Sequence, residues 1–181
     1  MTTNETPAPG ALNRDSIAAL LAGRPPLLEE CPDPHGQLQP NGFDVTVRSI
    51  ASYPNSVGSG AIGVSDADRV LPEPTELNFG PDGWLNLSPG HYLATINEVV
   101  NLPRWLMALC RPRSSLLRMG VTLHTAVWDA GYSGRSQALL VVHHADGFRL
   151  QRDARIAQLV FFPLSAPDAQ GYAGRYQREN L

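Results

Sequence analysis

Asp129 and Tyr132 stand three residues apart in Val127-Trp128-Asp129-Ala130-Gly131-Tyr132-Ser133-Gly134, where an apolar run gives way to a glycine-containing turn. A carboxylate held at a sheet edge within reach of water is the minimum equipment for general-base hydrolysis of a phosphoanhydride. The Tyr132 ring adds a flat surface against which a sugar could lie. Taken alone, Asp129 reads as a turn residue more readily than as a base. A second cluster is basic and hydroxylated: Arg111, Arg113 and Arg118 flank Ser114 and Ser115, around a segment that fits one helical turn. Guanidinium forks, hydroxyls and free N–H groups at the start of such a turn make a cradle for phosphate oxygens. A solvated basic loop is the plain alternative.

Two more polar groups interrupt apolar segments. Gln158 lies within RIAQLVFFP at 155–163, and an amide inside such a strand needs a partner, whether a ligand or a neighbouring backbone group. Asp44 follows the turn signal Pro40-Asn41-Gly42, and an Asx-type strand entry accounts for it as well as chemistry does. His124 lies near the proposed base and His143-His144 at a strand end, with no second ligand cluster at metal spacing. Trp84, Trp105 and Trp128 read as packing residues, Trp128 being set apart by its place beside Asp129.

These residues need a scaffold, and the pattern of the chain supplies a β one. Asn13-Arg14-Asp15 precedes a short helix over Ser16–Ala22, with Asn13 or Asp15 as its cap and Gly23 as its stop. From residue 37 the helical period disappears. Short apolar segments then recur: Phe43–Val47, Leu85–Leu87, His91–Ile96, Leu106–Cys110, Val121–Leu123, Ala138–Val142, Phe148–Leu150 and Ile156–Phe162. Punctuation by Gly, Pro, Asn and Asp at this spacing predicts a mainly β protein, an antiparallel jelly roll or barrel with a short N-terminal helix. Residues 54–70 carry few large apolar groups and read as a long, mobile excursion. Residues 1–10 are expected to be disordered, and 11–181 to form a single domain without internal repeats.

Composition narrows the functional classes. The 181 residues suffice for one domain with a sizeable core; charged residues are 17% of the chain and the net charge is −3. That balance suits a free nucleotide held in a local basic pocket and disfavours a long nucleic-acid footprint. Cys31 and Cys110 have no CxxC neighbour and read as reduced and structural. The start of the chain lacks a signal-peptide pattern, and no apolar run approaches the ~18 residues of a membrane span. A cytoplasmic protein with no membrane partner is expected.

In their order and spacing the clusters resemble the dUTPase and dCTP deaminase superfamily. PRSSL at 112–116 is similar to its serine-bearing phosphate motif, WDAGYSG at 128–134 to the dUTPase motif with the catalytic Asp, and RIAQLVFFP to the strand with a phosphate-binding Gln. QPNGFDVTV at 39–47 matches the first motif more loosely, and GYAGRYQREN at 171–180 resembles the deaminase-side ending. The likeness runs from about residue 12 to 179 and is thinnest over 54–83.

The resemblance implies a dUTPase-like β-clip fold and Mg²⁺-dependent hydrolysis of dUTP to dUMP and pyrophosphate. Asp129 would position and deprotonate the attacking water, and Tyr132 would pack under the deoxyribose and crowd out a ribose 2′-OH. Backbone groups of the segment around Thr125–Trp128, Thr125 and Val127 among them, would read the uracil edge. Arg113, Ser114, Ser115, Arg118 and Gln158 would bind phosphates, and Arg175, Tyr176 and Gln177 in a tail of about 165–181 would close over them as a lid. Mg²⁺ would be held mainly by the triphosphate, and the sites would lie between subunits of a homotrimer.

The choice between the two activities rests on one position. Deaminases of this superfamily carry a glutamate in the strand after the Asp-containing turn; here the corresponding residue is Leu139, and no acid occurs between Gly131 and Ala145. Tyr132 likewise stands where deaminases usually have tryptophan. Against this, Ser115 replaces a glycine common in dUTPases, and their glycine-rich, Phe-bearing tail is absent. A dCTP deaminase, a bifunctional enzyme, a pyrophosphatase for another deoxynucleotide and a non-catalytic nucleotide-binding regulator are the alternatives.

Overall fold

Of the two candidate caps Asn13 begins the first element, its side-chain oxygen accepting the Ser16 N–H at 2.9 Å, so the helix starts at Arg14 rather than Ser16 and Asp15 falls in its first turn. The helix α1 (Arg14–Leu21) follows and buries Ile17 against the sheet. The structure, a computed structural model, describes residues 10–53 and 60–181; the expectations for 1–9 and 54–59 lie outside the described residues. Beyond α1 come β1 (Leu28–Glu29), the one-turn α2 (Pro34–Gln37), β2 (Leu38–Gln39), β3 (Gly42–Ser52), β4 (Thr75–Leu77), β5 (Trp84–Leu87), β6 (Gly90–Ile96) and β7 (Val99–Asn101). They are followed by β8 (Leu106–Pro112), α3 (Ser114–Arg118), β9 (Val121–His124), β10 (Ser133–Gly134), β11 (Gln137–Val142), β12 (Phe148–Gln151) and β13 (Arg155–Pro163).

The main sheet runs β8-β13-β3-β6-β11-β9, with antiparallel pairing at every step. Its two ends meet: Ala108 in β8 and Trp128, just beyond β9, exchange backbone hydrogen bonds of 3.0 and 3.1 Å. This bridge nearly closes the sheet into the expected antiparallel barrel. Closure removes an open edge that would otherwise invite pairing with other chains. Smaller sheets, β1-β7-β10 and β12-β5, flank it.

Residue type explains which faces point inward. In β11 Ala138, Leu140 and Val142 are buried while Gln137, Leu139 and Val141 look outward, the period of two of a strand with one covered face. Leu106, Ala108 and Cys110 do the same in β8. β3 departs from alternation because Gly42–Val47 are buried on both faces. On one side Phe43, Val45 and Val47 join Leu106, Leu140, Leu159 and Phe161 in the core, each large side chain contributing about 1.5–3 kcal/mol by burial. On the other side lie Asp44 and Thr46.

Those buried polar groups are paired. Glu98, 0% exposed, accepts from Gln37 Nε2 at 2.6 Å, Thr46 Oγ1 at 2.6 Å and Thr46 N at 3.0 Å. Asn97 Nδ2 donates to Thr46 Oγ1 and to Asp153 Oδ1. The network ties the middle of β3 to the β6–β7 connection. Burial pushes the Glu98 carboxyl above its ordinary range, and the Thr46 and Gln37 hydrogen bonds partly oppose that shift. Both cysteines are free, and burial pushes both thiols up to about 12, which leaves them protonated and unreactive at neutral pH. Of the predicted excursion, residues 60–70 carry a bridge between Ala61 and Val70 and a short 3-10 turn at Asp66–Asp68.

Candidate active site

The barrel-closing bridge at Trp128 fixes the start of the turn that carries Asp129. Tyr132 N then donates to Asp129 O at 3.1 Å, and Gly131 takes a φ of 88°, which disfavours any other residue there. The result holds the Asp129 carboxylate exposed at the mouth of a cavity of about 170 Å³ while Tyr132 lies behind it, 5% exposed. Ala126, Val127 and Asp129 line one side of this cavity; Tyr172, Tyr176 and Glu179 from the C-terminal tail line the other. A carboxylate open to solvent beside a fixed aromatic ring can take a proton from a water while a sugar rests on the ring. Val127 is half exposed at the rim, and Thr125 stands just outside, in a wider groove with His124 and Leu109.

The tail reaches this cavity on its own chain's turn. Arg104 Nη1 holds Ala169 O at 2.7 Å, Tyr172 N donates to Ala130 O at 2.8 Å, and Arg178 N donates to Ser133 O at 2.7 Å. Gln177 spends both ends of its amide on the turn, accepting from Ser133 N and donating to Gly131 O. Arg175 is exposed, and Tyr176 lines the cavity. Two glycines permit the approach. A Cβ at Gly131 would sit 2.9 Å from Gly171 Cα and Tyr172 N, and one at Gly134 would sit 3.1 Å from Glu179 N.

Tyr132 Oη donates to Glu179 Oε1 at 2.9 Å and lies 2.8 Å from Ser136 Oγ. Burial raises the phenol's pKa strongly; the Ser136 hydrogen bond opposes this and the nearby Glu179 charge adds to it. Burial also raises Glu179, and the Tyr132 hydrogen bond pulls it back. Neither Ser136 nor Glu179 was singled out by the sequence. Glu179 lay within the tail motif, but nothing in the local pattern of Ser136 marked it.

The phosphate-type residues form a second group. Asp44, its side chain 3% exposed, lies 3.3 Å from Arg113 Nε and 3.6 Å from Arg155 Nη1, and Gln158 hydrogen-bonds to it. Strand register explains the meeting: Gln158 in β13 pairs with Asp44 in β3 on one side and with Arg111 in β8 on the other. Gly42 lets the two strands close there, since a Cβ would come 2.5 Å from Leu159 O and 2.8 Å from Gln158 Cγ. Burial raises Asp44 above the usual carboxylate range while Arg113, Arg155 and Gln158 counter it.

The buried carboxylate thus orients Arg113, the N-cap of α3, whose exposed Ser114 and Ser115 follow directly. Arg118 Nη1 bonds back to Ser114 O at 2.9 Å. None of Arg113, Ser114, Ser115, Arg118 or Gln158 lines the Asp129 cavity. Among the described residues no three His, Cys, Asp or Glu side chains gather closely enough to hold a metal ion.

Comparison with known proteins agrees with the motifs. Residues 11–164 match the family model described as dCTP deaminase-like. The chain is 45% identical over 170 residues to a probable deoxyuridine 5′-triphosphate nucleotidohydrolase of Methanococcoides burtonii, covering 94% of this chain and 98% of the relative. It is 45% identical over 170 residues to the protein of the same name in Archaeoglobus fulgidus, covering 94% and 97%. Among solved structures, 2′-deoxycytidine 5′-triphosphate deaminase of Agrobacterium tumefaciens shares the fold at a TM-score of 0.64 and 23% identity. That match covers 84% of this chain, which spans 47% of the deaminase chain.

Proposed function

The chain belongs to the dCTP deaminase-like family, and from that premise we propose that it hydrolyses dUTP to dUMP and pyrophosphate and leaves dCTP unaltered. The observation that carries this reading is the pairing of an exposed Asp129 with Tyr132 in one cavity, beside a strand whose outward face bears Gln137, Leu139 and Val141 and no acid. A leucine cannot shuttle the proton that deamination requires. The archaeal relatives bearing the nucleotidohydrolase name match almost end to end, which supports the same choice.

In this mechanism the Asp129 carboxylate takes a proton from a water as the water oxygen bonds to the α-phosphorus of dUTP. The bond from that phosphorus to the α,β-bridging oxygen breaks, and the electron pair leaves with pyrophosphate. Tyr132 carries the deoxyribose, and the backbone at Thr125–Val127 faces the base. Ser114, Ser115, Arg113, Arg118 and Gln158 bind phosphate oxygens, with Asp44 holding Arg113 and Gln158 in place; Arg175 and Tyr176 of the tail add to that grip. Among the described residues no cage of metal-ligating side chains surrounds the exposed Asp129 carboxylate, so the Mg²⁺ would arrive on the triphosphate and be held mainly by it. When bound, Mg²⁺ neutralises charge on the leaving pyrophosphate.

The phosphate-type residues stand apart from the Asp129 cavity within one chain, which supports complete sites formed between subunits of a homotrimer. No helix among the described residues is long and apolar enough to cross a membrane. The proposed substrate is a small-molecule nucleotide, and the proposed location is the cytoplasm.

The deciding experiment incubates the protein with Mg²⁺ and dUTP, dCTP or dTTP and identifies products by chromatography. The expected result is dUMP from dUTP alone. dUTP or dUMP arising from dCTP would overturn the argument from Leu139, and binding without turnover would make the protein a regulator.

A further inference from the structure

The hydrogen bonds around Tyr132 have a fixed direction. The Trp128 indole N–H can only donate, and it donates to Ser136 Oγ at 2.6 Å. Tyr132 gives its single proton to Glu179 Oε1, so the Ser136 proton is the one that spans the 2.8 Å to Tyr132 Oη. The chain Trp128, Ser136, Tyr132, Glu179 therefore runs one way and ends on a carboxylate, an arrangement in which each bond polarises the next. Glu179 is itself clamped: Arg135 N donates to Glu179 O at 3.0 Å, and the preceding Arg178 N donates to Ser133 O. Tyr172 meets the Tyr132 ring edge-on with centroids 5.8 Å apart.

From this geometry we propose that Glu179 is a positioning residue for sugar recognition. By accepting the phenol proton it fixes the Tyr132 ring, and so makes the tail a determinant of deoxyribose over ribose. The inference rests on the dUTP reading of the same cavity. A ring can exclude a 2′-hydroxyl by crowding only if it cannot slide away. Ser136 fixes its oxygen from one side and Glu179 from the other. Loss of the tail carboxylate leaves the ring tethered on one side, with room to yield.

The test measures kcat/KM for dUTP and UTP, together with the indole N–H resonances of the three tryptophans, that of Trp128 being assigned through Trp128→Phe. Glu179→Ala is expected to lower the dUTP-over-UTP preference about tenfold, the scale of one charge-assisted hydrogen bond lost. It is also expected to shift the Trp128 indole signal through the relay while those of Trp84 and Trp105 stay in place. Glu179→Gln, which keeps an accepting oxygen, restores both. Because Glu179 acts through Tyr132, Glu179→Ala adds nothing in a Tyr132→Phe background.

A preference unchanged in Glu179→Ala overturns the proposal whatever the indole does, as does an equal cost in the Tyr132→Phe background. Should the wild type turn over neither nucleotide, the dUTP reading falls, while the indole shift still decides whether Glu179 holds Tyr132.

Discussion

Leu139 lies directly opposite His124 in the β9–β11 pair and opposite Leu93 in the β6–β11 pair, so the three share the outward face of the sheet. The row leads toward the Asp129 cavity, where Gln137 of the same strand face forms part of the lining. An acid at position 139 would have no salt-bridge partner among its two strand neighbours except His124. The leucine instead stands opposite Leu93 and carries no proton.

Leu139→Ala is therefore expected to leave kcat for dUTP within about threefold, as for a substitution outside the reacting centre, and to yield no product from dCTP. Steady-state assays with both nucleotides check this. A fall of two orders of magnitude in kcat would place position 139 in the chemistry and break the argument against a proton-shuttling role.

Asp129→Asn keeps the shape of the turn, because the Tyr132 N–H bonds to the Asp129 backbone carbonyl and not to its side chain. Removing a general base lowers kcat by about two to four orders of magnitude. Affinity for a dUTP analogue with a non-hydrolysable α,β-imido bridge is expected to change little, since the lost interaction belongs to the transition state. Calorimetric titration set beside single-turnover rates separates the two; weakened binding at an undiminished rate would move Asp129 to a substrate-holding role.

Much of this was legible in the sequence, for local reasons. The eight apolar segments became strands because hydrophobic alternation and turn residues act over a few positions, and Asn13 capped its helix by the same local logic. What stayed hidden depends on partners distant along the chain. The two-residue strands β1 and β10 exist only because Leu28 meets Val100 and Ser133 meets Asn101. Asp44 looked like a strand-entry residue until register set it beside Gln158 and two arginines. Glu98 carried no pattern that marks a wholly buried acid. Gln177, expected to close over the substrate's phosphates, has its amide committed to the turn at Gly131 and Ser133.

The tail contacts give a prediction that needs no substrate. Gly131 has a left-handed φ and its Cβ position abuts Gly171 and Tyr172, so Gly131→Ala both strains the turn and pushes the tail off. The strain alone costs about 1–3 kcal/mol. Trypsin is expected to cut faster after Arg175 and Arg178 in this variant than in the wild type, followed by mass spectrometry. Deleting the chain beyond Leu164 is expected to raise KM for dUTP at least about tenfold by removing the Tyr172, Tyr176 and Glu179 wall of the cavity. Wild-type cleavage rates in Gly131→Ala would show that the tail is not held there, and an unchanged KM after deletion would strip it of a role in binding.

Glu98 makes stability depend on pH in a direction opposite to that of an ordinary salt-bridged acid. Its carboxyl has a raised pKa because it is buried, so the folded chain binds that proton more tightly than the unfolded chain. The stabilisation from this proton is complete below about 4.3, the ordinary Glu value, and is lost as pH rises through the higher folded value. Urea unfolding across this range is expected to show stability falling as pH increases. Asp44 and Glu179 are raised as well and act with the same sign, so the part due to Glu98 is read from the difference between the wild type and Glu98→Gln. The amide cannot titrate and should flatten that part of the slope. It also sets an N–H₂ against the Thr46 N–H that Glu98 Oε2 accepts at 3.0 Å, at a cost of about 1–3 kcal/mol for the unsatisfied donor. A variant as stable as the wild type at neutral pH, with the same pH slope, would mean that Glu98 neither anchors β3 nor titrates with folding.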